Sequence, residues 1–295
     1  MPSLKKREQL VFDKGGLPVK VGFYQGKSSS GYPPLFHHKE IEIQLFVSGE
    51  GRYFIRGKTY HIRKNTVLII HGNEIHRYLP HPDSFIKRYN LIFGKPSMDA
   101  RPVSAKILRE LVGIHAMSLP EMEATECQYL MEEIARECKT QKEYWKELAA
   151  DGIKKILVLL KRSLSANKVV QPSDNSVVGR VIPYLENNYF NRLSLEEVSA
   201  KFFLSPYYLS RIFKKHTGFG FKEYLIHLRI SEAKNMLLSK EMKVSAIAHN
   251  VGFHELSSFN LNFRRLTGYT PSAYRKIFTG KENQAGNILH DKKTL

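Results

Sequence analysis

Two stretches decide the fold: SLEEVSAKFFLSPYYLSRIFKKHTGF at 194–219 and KVSAIAHNVGFHELSSFNLNFRRLTGY at 243–269. Phe213-Lys214-Lys215-His216-Thr217-Gly218-Phe219 recurs as Phe263-Arg264-Arg265-Leu266-Thr267-Gly268-Tyr269 at an offset of 50. Leu195 and Val198 recur as Val244 and Ile247 at an offset of 49, so one extra residue sits in the second turn. A repeat of this size is one supersecondary unit used twice. Each unit reads helix, short turn, helix. In the second, Val244–Asn250 is a short helix, Val251-Gly252-Phe253 a glycine turn, and about Leu256–Leu266 a second helix.

At 100° per residue, Leu209, Ile212, Phe213 and His216 share one face of the second helix of the first unit, with Tyr207, Arg211 and Lys214 opposite. In the second unit Phe259, Asn262, Phe263 and Leu266 share a face, with Ser257, Leu261 and Arg264 opposite. An ordinary pair of helical hairpins has the same period. Each outer face carries a residue that can reach a base or a phosphate and a cation one turn on, which suits a solvated face and equally a helix-turn-helix, whose second helix enters a major groove.

The rest of residues 180–276 carries a family pattern. Arg229, Ala233, Leu237 and Leu238 are followed by Ile247-Ala248, Val251-Gly252-Phe253, Phe259, Phe263-Arg264-Arg265, Gly268, Pro271, Tyr274 and Arg275. With these residues the segment resembles the DNA-binding domain of AraC/XylS-type transcription regulators. The resemblance implies two helix-turn-helix units joined by a long helix, about Phe221–Leu238, reading successive major grooves. It implies base contacts from Tyr207, Ser210 and Arg211 in the first unit and from Leu256, Ser257, Asn260 and Leu261 in the second. Arg211 suits guanine, Asn260 adenine and Leu261 a thymine methyl. Lys214, Lys215, Thr217, Arg264 and Arg265 are assigned to phosphates, which position a protein without specifying sequence. Pro183 departs from the pattern by falling inside the expected first helix.

Upstream, residues 10–95 read as short strands. QLFVSGEGRYFIRGKTYHIRKNTVLII alternates apolar and polar residues and is broken by Gly49, Gly51, Gly57 and Asn65. That pattern predicts an antiparallel sandwich or barrel. Regulators of the family often carry a cupin-like, effector-binding barrel, and residues 34–80 resemble one. His38, Glu42 and His76 are its candidate pocket residues. Metal cupins use a His-x-His pair, and Phe36 stands where the first histidine belongs. The expectation is therefore a pocket for an organic effector such as a sugar, with no metal and no cofactor. A metal-dependent cupin enzyme fused to a DNA-binding domain is the alternative. A DNA-repair protein would need a reactive cysteine in a basic N-terminal site, and Cys127 and Cys138 lie elsewhere.

Residues 103–165 change to helical spacing. Trp145, Leu148, Ala149, Gly152, Ile153, Ile156, Leu157, Leu160 and Leu164 form the longest stripe. Its apolar content predicts burial on the sandwich or on a second subunit. We expect a homodimer through these helices, and an effector that acts by shifting their placement.

The fold class is thus α+β and multidomain. It comprises a cupin-like barrel (1–100), a helical dimerisation and coupling region (101–165), a polar linker (166–177), a double helix-turn-helix domain (178–280) and a tail (281–295). Composition agrees. The 295 residues are 42% apolar and 25% charged, which excludes a mostly disordered chain. The net charge is +18, with +8 on residues 1–100 and +8 on 180–280, suited to a polyanionic partner. The longest aliphatic runs, Val67–Ile70 and Ile156–Leu160, fall far short of the ~20 residues that span a bilayer. No apolar leader follows the basic N-terminus. Two cysteines exclude a disulfide scaffold and a four-cysteine zinc site, and fit the cytoplasm. The expected partners are double-stranded DNA, a small-molecule effector, a second copy of the chain and RNA polymerase, with no membrane.

Overall fold

The computed structural model describes residues 19–27, 40–81, 84–94, 101–166, 169–172, 177–239 and 241–279. Its strands are β1 (Val19–Lys27), β2 (Ile41–Ser48), β3 (Gly51–Ile55), β4 (Lys58–Ile62), β5 (Thr66–Ile70), β6 (His76–Pro80), β7 (Phe85–Phe93) and β8 (Ala116–Ser118). They form two antiparallel sheets, one in the order β1-β7-β2-β5-β8 and the other β4-β3-β6. Helices α1 (Pro102–Glu110), α2 (Glu121–Thr140) and α3 (Trp145–Ser165) follow.

Side-chain alternation along the strands builds a layered molecule. On β2, Ile41, Ile43 and Leu45 face outward into a core shared with Ile107, Leu130, Ile134, Ile153, Ile156, Leu157 and Leu160 of the three helices. The opposite face of β2 carries Phe46, which packs with Tyr53, Ile55, Tyr60, Leu68, Ile70 and Tyr78 between the two sheets. Because both of its faces are covered, β2 is buried from Ile41 to Phe46 rather than alternately exposed. The stripe on α3 is therefore largely consumed inside one chain, Leu148 at its start remaining exposed. Ile156, Leu157 and Leu160 are fully buried and present no face to a second subunit.

The C-terminal helices are α4 (Val177–Asn188), α5 (Leu195–Lys201), α6 (Pro206–Thr217), α7 (Phe221–Ser239), α8 (Val244–Asn250), α9 (Leu256–Thr267) and α10 (Pro271–Phe278). Two cores sustain them. Phe213, Phe219, Tyr224, Leu209 and Val198 anchor the first unit, and Phe259, Phe263, Ile247, Val251 and Tyr274 the second. Phe54 and Ile75 of the sandwich belong to the first of these cores. Within the expected linker, Val169 bridges to Met117 and the Val170 N–H donates to the Ala116 carbonyl at 2.9 Å, while 167–168 and 173–176 lie outside the described residues. The expected tail, 281–295, lies outside the described residues. Pro183 falls inside α4 on its solvent side.

Candidate DNA-binding faces and effector site

In the first unit α5 starts at a capping box. The Glu197 N–H donates to Ser194 Oγ at 3.1 Å, and the Ser194 N–H to Glu197 Oε2 at 2.8 Å. The α6 helix begins with Ser205 accepting from the Tyr208 N–H at 3.2 Å, followed by Pro206, whose missing N–H costs nothing at that position. It ends at Gly218, with φ +77°, the left-handed stop that glycine adopts most readily. Burying Leu209 and Phe213 turns Tyr207, Ser210, Arg211, Lys214 and Lys215 to solvent, with Tyr207 78% exposed. In the second unit, burying Phe259, Phe263 and Leu266 exposes Leu256, Ser257, Asn260, Leu261, Arg264 and Arg265. Leu261 is 71% exposed.

Thr217 must be removed from the phosphate set. It is fully buried, donating to the Phe213 carbonyl at 2.8 Å and accepting from the Phe219 N–H at 3.0 Å. Its hydroxyl closes the end of α6, and Thr267 closes α9 in the same way.

Several residues that carried the resemblance have structural work. Arg229 donates to the Tyr189 and Asn191 carbonyls, both at 2.8 Å, and its guanidinium lies over the Phe253 ring. Arg275 donates to the Leu237 and Met242 carbonyls. Gly252 has φ +90°, and a Cβ there would stand 2.9 Å from the Tyr189 and Phe190 carbonyl oxygens. Both conditions demand glycine.

In the sandwich, strand alternation aims polar groups into the gap between the sheets. His76 Nε2 on β6 lies 3.4 Å from Glu42 Oε2 on β2. Gln44 Nε2 donates to Glu42 Oε1 at 2.6 Å and to the Tyr53 hydroxyl at 2.7 Å. Arg88 Nη1 donates to Gln44 Oε1 at 2.9 Å, with its guanidinium near the rings of Tyr24, Phe46 and Tyr78. Tyr53 stacks on His76 with ring centres 6.2 Å apart. All five side chains are buried. Burial, and then the Glu42 charge, push the Tyr53 hydroxyl well above its ordinary pKa, so it keeps its proton.

Two of the three expected pocket residues, Glu42 and His76, thus meet. They do so within the fold rather than at a rim, and His38 lies outside the described residues. Gln44 and Arg88 were not expected. Gln44 was readable from Glu42 by period two. Tyr53 and Arg88 come from strands whose pairing only the sheets reveal.

With this geometry in view, the comparisons with known proteins fall into place. Residues 17–126 match the family model of the AraC-like ligand binding domain, and residues 198–277 match that of a helix-turn-helix domain. The chain belongs to the AraC-type transcriptional regulators. Its C-terminal part is similar to the helix-turn-helix regulator YijO of Escherichia coli K12, 40% identical over 95 residues, covering 32% of this chain and 34% of YijO. The match thus spans about a third of that relative. A longer match, 26% over 260 residues, covers 82% of this chain and 87% of the transcriptional activator RhaS of Escherichia fergusonii. Among solved structures, fatty acid-bound ToxT of Vibrio cholerae aligns over 92% of this chain and 99% of ToxT, at 14% identity and a TM-score of 0.39. Among the described residues no helix is long and apolar enough to cross a membrane.

Proposed function

We propose that this protein is a sequence-specific DNA-binding regulator whose DNA affinity responds to a polar small molecule, of the size and hydrogen-bonding character of a sugar, held between the two sheets. The observation that carries it is the pair of equivalent helices, α6 and α9, each turning a cation-rich, uncovered face to solvent on a chain of net charge +18. Arg211 reads a guanine, Asn260 an adenine and Leu261 a thymine methyl; Tyr207, Ser210, Leu256 and Ser257 complete the base contacts. Lys214, Lys215, Arg264 and Arg265 hold phosphates. The likeness to RhaS supports an activator, with RNA polymerase as its partner on DNA. A homodimer would use the exposed Met122 and Tyr129 of α2 with Leu148, the exposed member of the α3 stripe. Sedimentation at tens of micromolar tests this, a monomer mass counting against it.

The test of the function is selection of duplexes from a randomised pool by the full chain, then titration at several salt concentrations. Arg211→Ala should cost about 1–3 kcal/mol and relax preference at one base pair. Uniform loss on every sequence would make Arg211 a phosphate contact.

For the effector, Glu42, Gln44, Tyr53, His76 and Arg88 form a connected set of donors and acceptors that a polar ligand can share. A thermal-shift screen of sugars and related metabolites, repeated on Glu42→Gln, tests the site, because a ligand of the folded state raises Tm. The metal-dependent alternative needs a third ligand beside Glu42 and His76. Its expected third ligand, His38, lies outside the described residues. Stoichiometric metal in purified protein, lost in His76→Ala, would favour that alternative.

A further inference from the structure

We infer that Arg77, a residue of the ligand-binding domain, is a positioning residue for the first recognition helix, and that β6 carries the state of the effector site to it. The inference rests on the function proposed above and names how that site is coupled to DNA.

Strand β6 is one residue thick, and its side chains alternate. His76 and Tyr78 point into the space between the sheets, against Tyr53, Phe46 and Arg88. Arg77 and Leu79 point the other way, onto the helical domain. There the Arg77 guanidinium does three things. Its Nη1 donates to the Gly218 carbonyl at the end of α6. Its Nη2 donates to Glu223 Oε1 at 2.7 Å in the first turn of α7. Its Cζ sits 3.6 Å from the centre of the Phe219 ring. A cation is favoured at a helix C-terminus, and the guanidinium fork fixes direction as well as distance. Glu223 also accepts from the Gly220 N–H at 3.1 Å, so one ion pair sets the turn between the two helices.

Neighbouring contacts have the same sense. On β3, Tyr53 faces the effector site while Phe54 meets Phe219 and Tyr224 edge-on, and Arg52 Nη2 donates to the Lys215 carbonyl at 3.2 Å. The turn between β5 and β6 holds α7, with Ser231 Oγ donating to the Asn73 carbonyl at 2.9 Å. A Cβ on Gly218 would stand 2.5 Å from Arg77 Cδ and 2.7 Å from Leu79 Cδ2. Gly268, its counterpart in the second unit, has no such neighbour within 4 Å.

The sandwich thus grips the first unit by the back of α6. Tyr207 and Arg211 remain exposed, so the contact orients the helix and does not cover its DNA face. The route differs from the one expected from sequence. Helices α1–α3 pack on the far side of the sandwich, in the core that includes Ile43 and Ile69, and β3 and β6 form the face that meets the DNA-binding helices. A shift of His76 or Tyr78 on ligand binding moves Arg77, because adjacent residues of a strand share one backbone.

The experiment uses the full chain and the duplex it selects from a randomised pool, with variants of that duplex in which one half-site is scrambled. The half whose preference relaxes in Arg211→Ala belongs to the first unit. Arg77→Ala should weaken binding to the intact duplex by about tenfold and largely erase the penalty for scrambling the first half, leaving the second-half penalty unchanged. Arg77→Lys keeps the charge without the fork and should fall between. Glu223→Gln, which keeps the shape of the turn, should show the same half-site selectivity at about threefold, and carries the test if Arg77→Ala fails to fold. Glu42→Gln should alter first-half discrimination in the native background and not beside Arg77→Ala. Equal loss at both halves, or none, would overturn the positioning role. Enrichment of no sequence at all would overturn the DNA-reading function and this inference with it.

Discussion

The two helix-turn-helix units are built on one pattern and stabilised by different means. The first has hydrogen-bonded caps at Ser194 and Ser205, whereas α8 and α9 start at Lys243 and Glu255 with no side-chain cap. The first turns at Phe203, in the left-handed region at φ +55° and 95% exposed. The second turns at Gly252, packed against two backbone carbonyls. The first is seated on the sandwich through Phe54, Ile75 and Arg77, while Phe259 and Phe263 pack in a core of residues from their own domain. Where α6 carries Arg211, α9 carries Leu261 at the same place. A repeat conserves the surface that packs, and leaves free both the surface that reads DNA and the surface that meets the rest of the chain.

The largest effects should fall where the units are alike. Phe213→Ala and Phe263→Ala each remove a fully buried ring and should each cost about 3–5 kcal/mol in denaturant unfolding. A large difference between them would break the equivalence.

Acid should act through the first unit. Burial drives the His227 pKa down to about 4, the Glu223 charge opposing and those of Arg77, Arg265 and His76 adding to it. The folded value lies below the unfolded 6.5, so the stability held by neutral His227 is intact above pH 6.5. It is lost as pH falls through the window down to about 4, to a total of about 3 kcal/mol. His227→Gln should flatten that part of a pH–stability curve.

The two C-terminal glycines sharpen the contrast. Gly268→Ala meets only backbone strain, about 1 kcal/mol. Gly218→Ala meets the same strain plus Arg77 and Leu79, and should cost about 2–3 kcal/mol. Equal melting temperatures for the two variants would mean that the sandwich does not press on α6. Smallest are the caps. Ser194→Ala should cost about 1 kcal/mol, and Lys243→Ser should return somewhat less than that to the second unit. Both changes are read from the urea midpoint.

Much of the DNA-binding half was legible because its information is local. Helical period and a repeat lie within a few turns of one another, and they placed Arg211 and Leu261 on outer faces without any tertiary input; Asn260 came from the family resemblance. Thr217 was misassigned for an instructive reason. Polarity marks a residue as a hydrogen-bond partner, but the partner proved to be the backbone of its own helix end. In the sandwich Glu42 and His76 were found in advance as pocket residues. Their neighbours Tyr53 and Arg88 are brought in by strands paired across the sheets.

The sequence by itself determined the period of each element, the doubling of the helical unit and which face of each recognition helix stays polar. Those properties follow from bond geometry and from the apolar residues of the element concerned. Only the tertiary structure decided what each face meets. Most of the α3 stripe is buried on the sandwich and not on a second chain, β2 is covered on both sides, and Arg77 leaves its own domain to hold Gly218. An apolar or charged face specifies that it must be partnered, and the identity of the partner is settled only when all the layers pack at once.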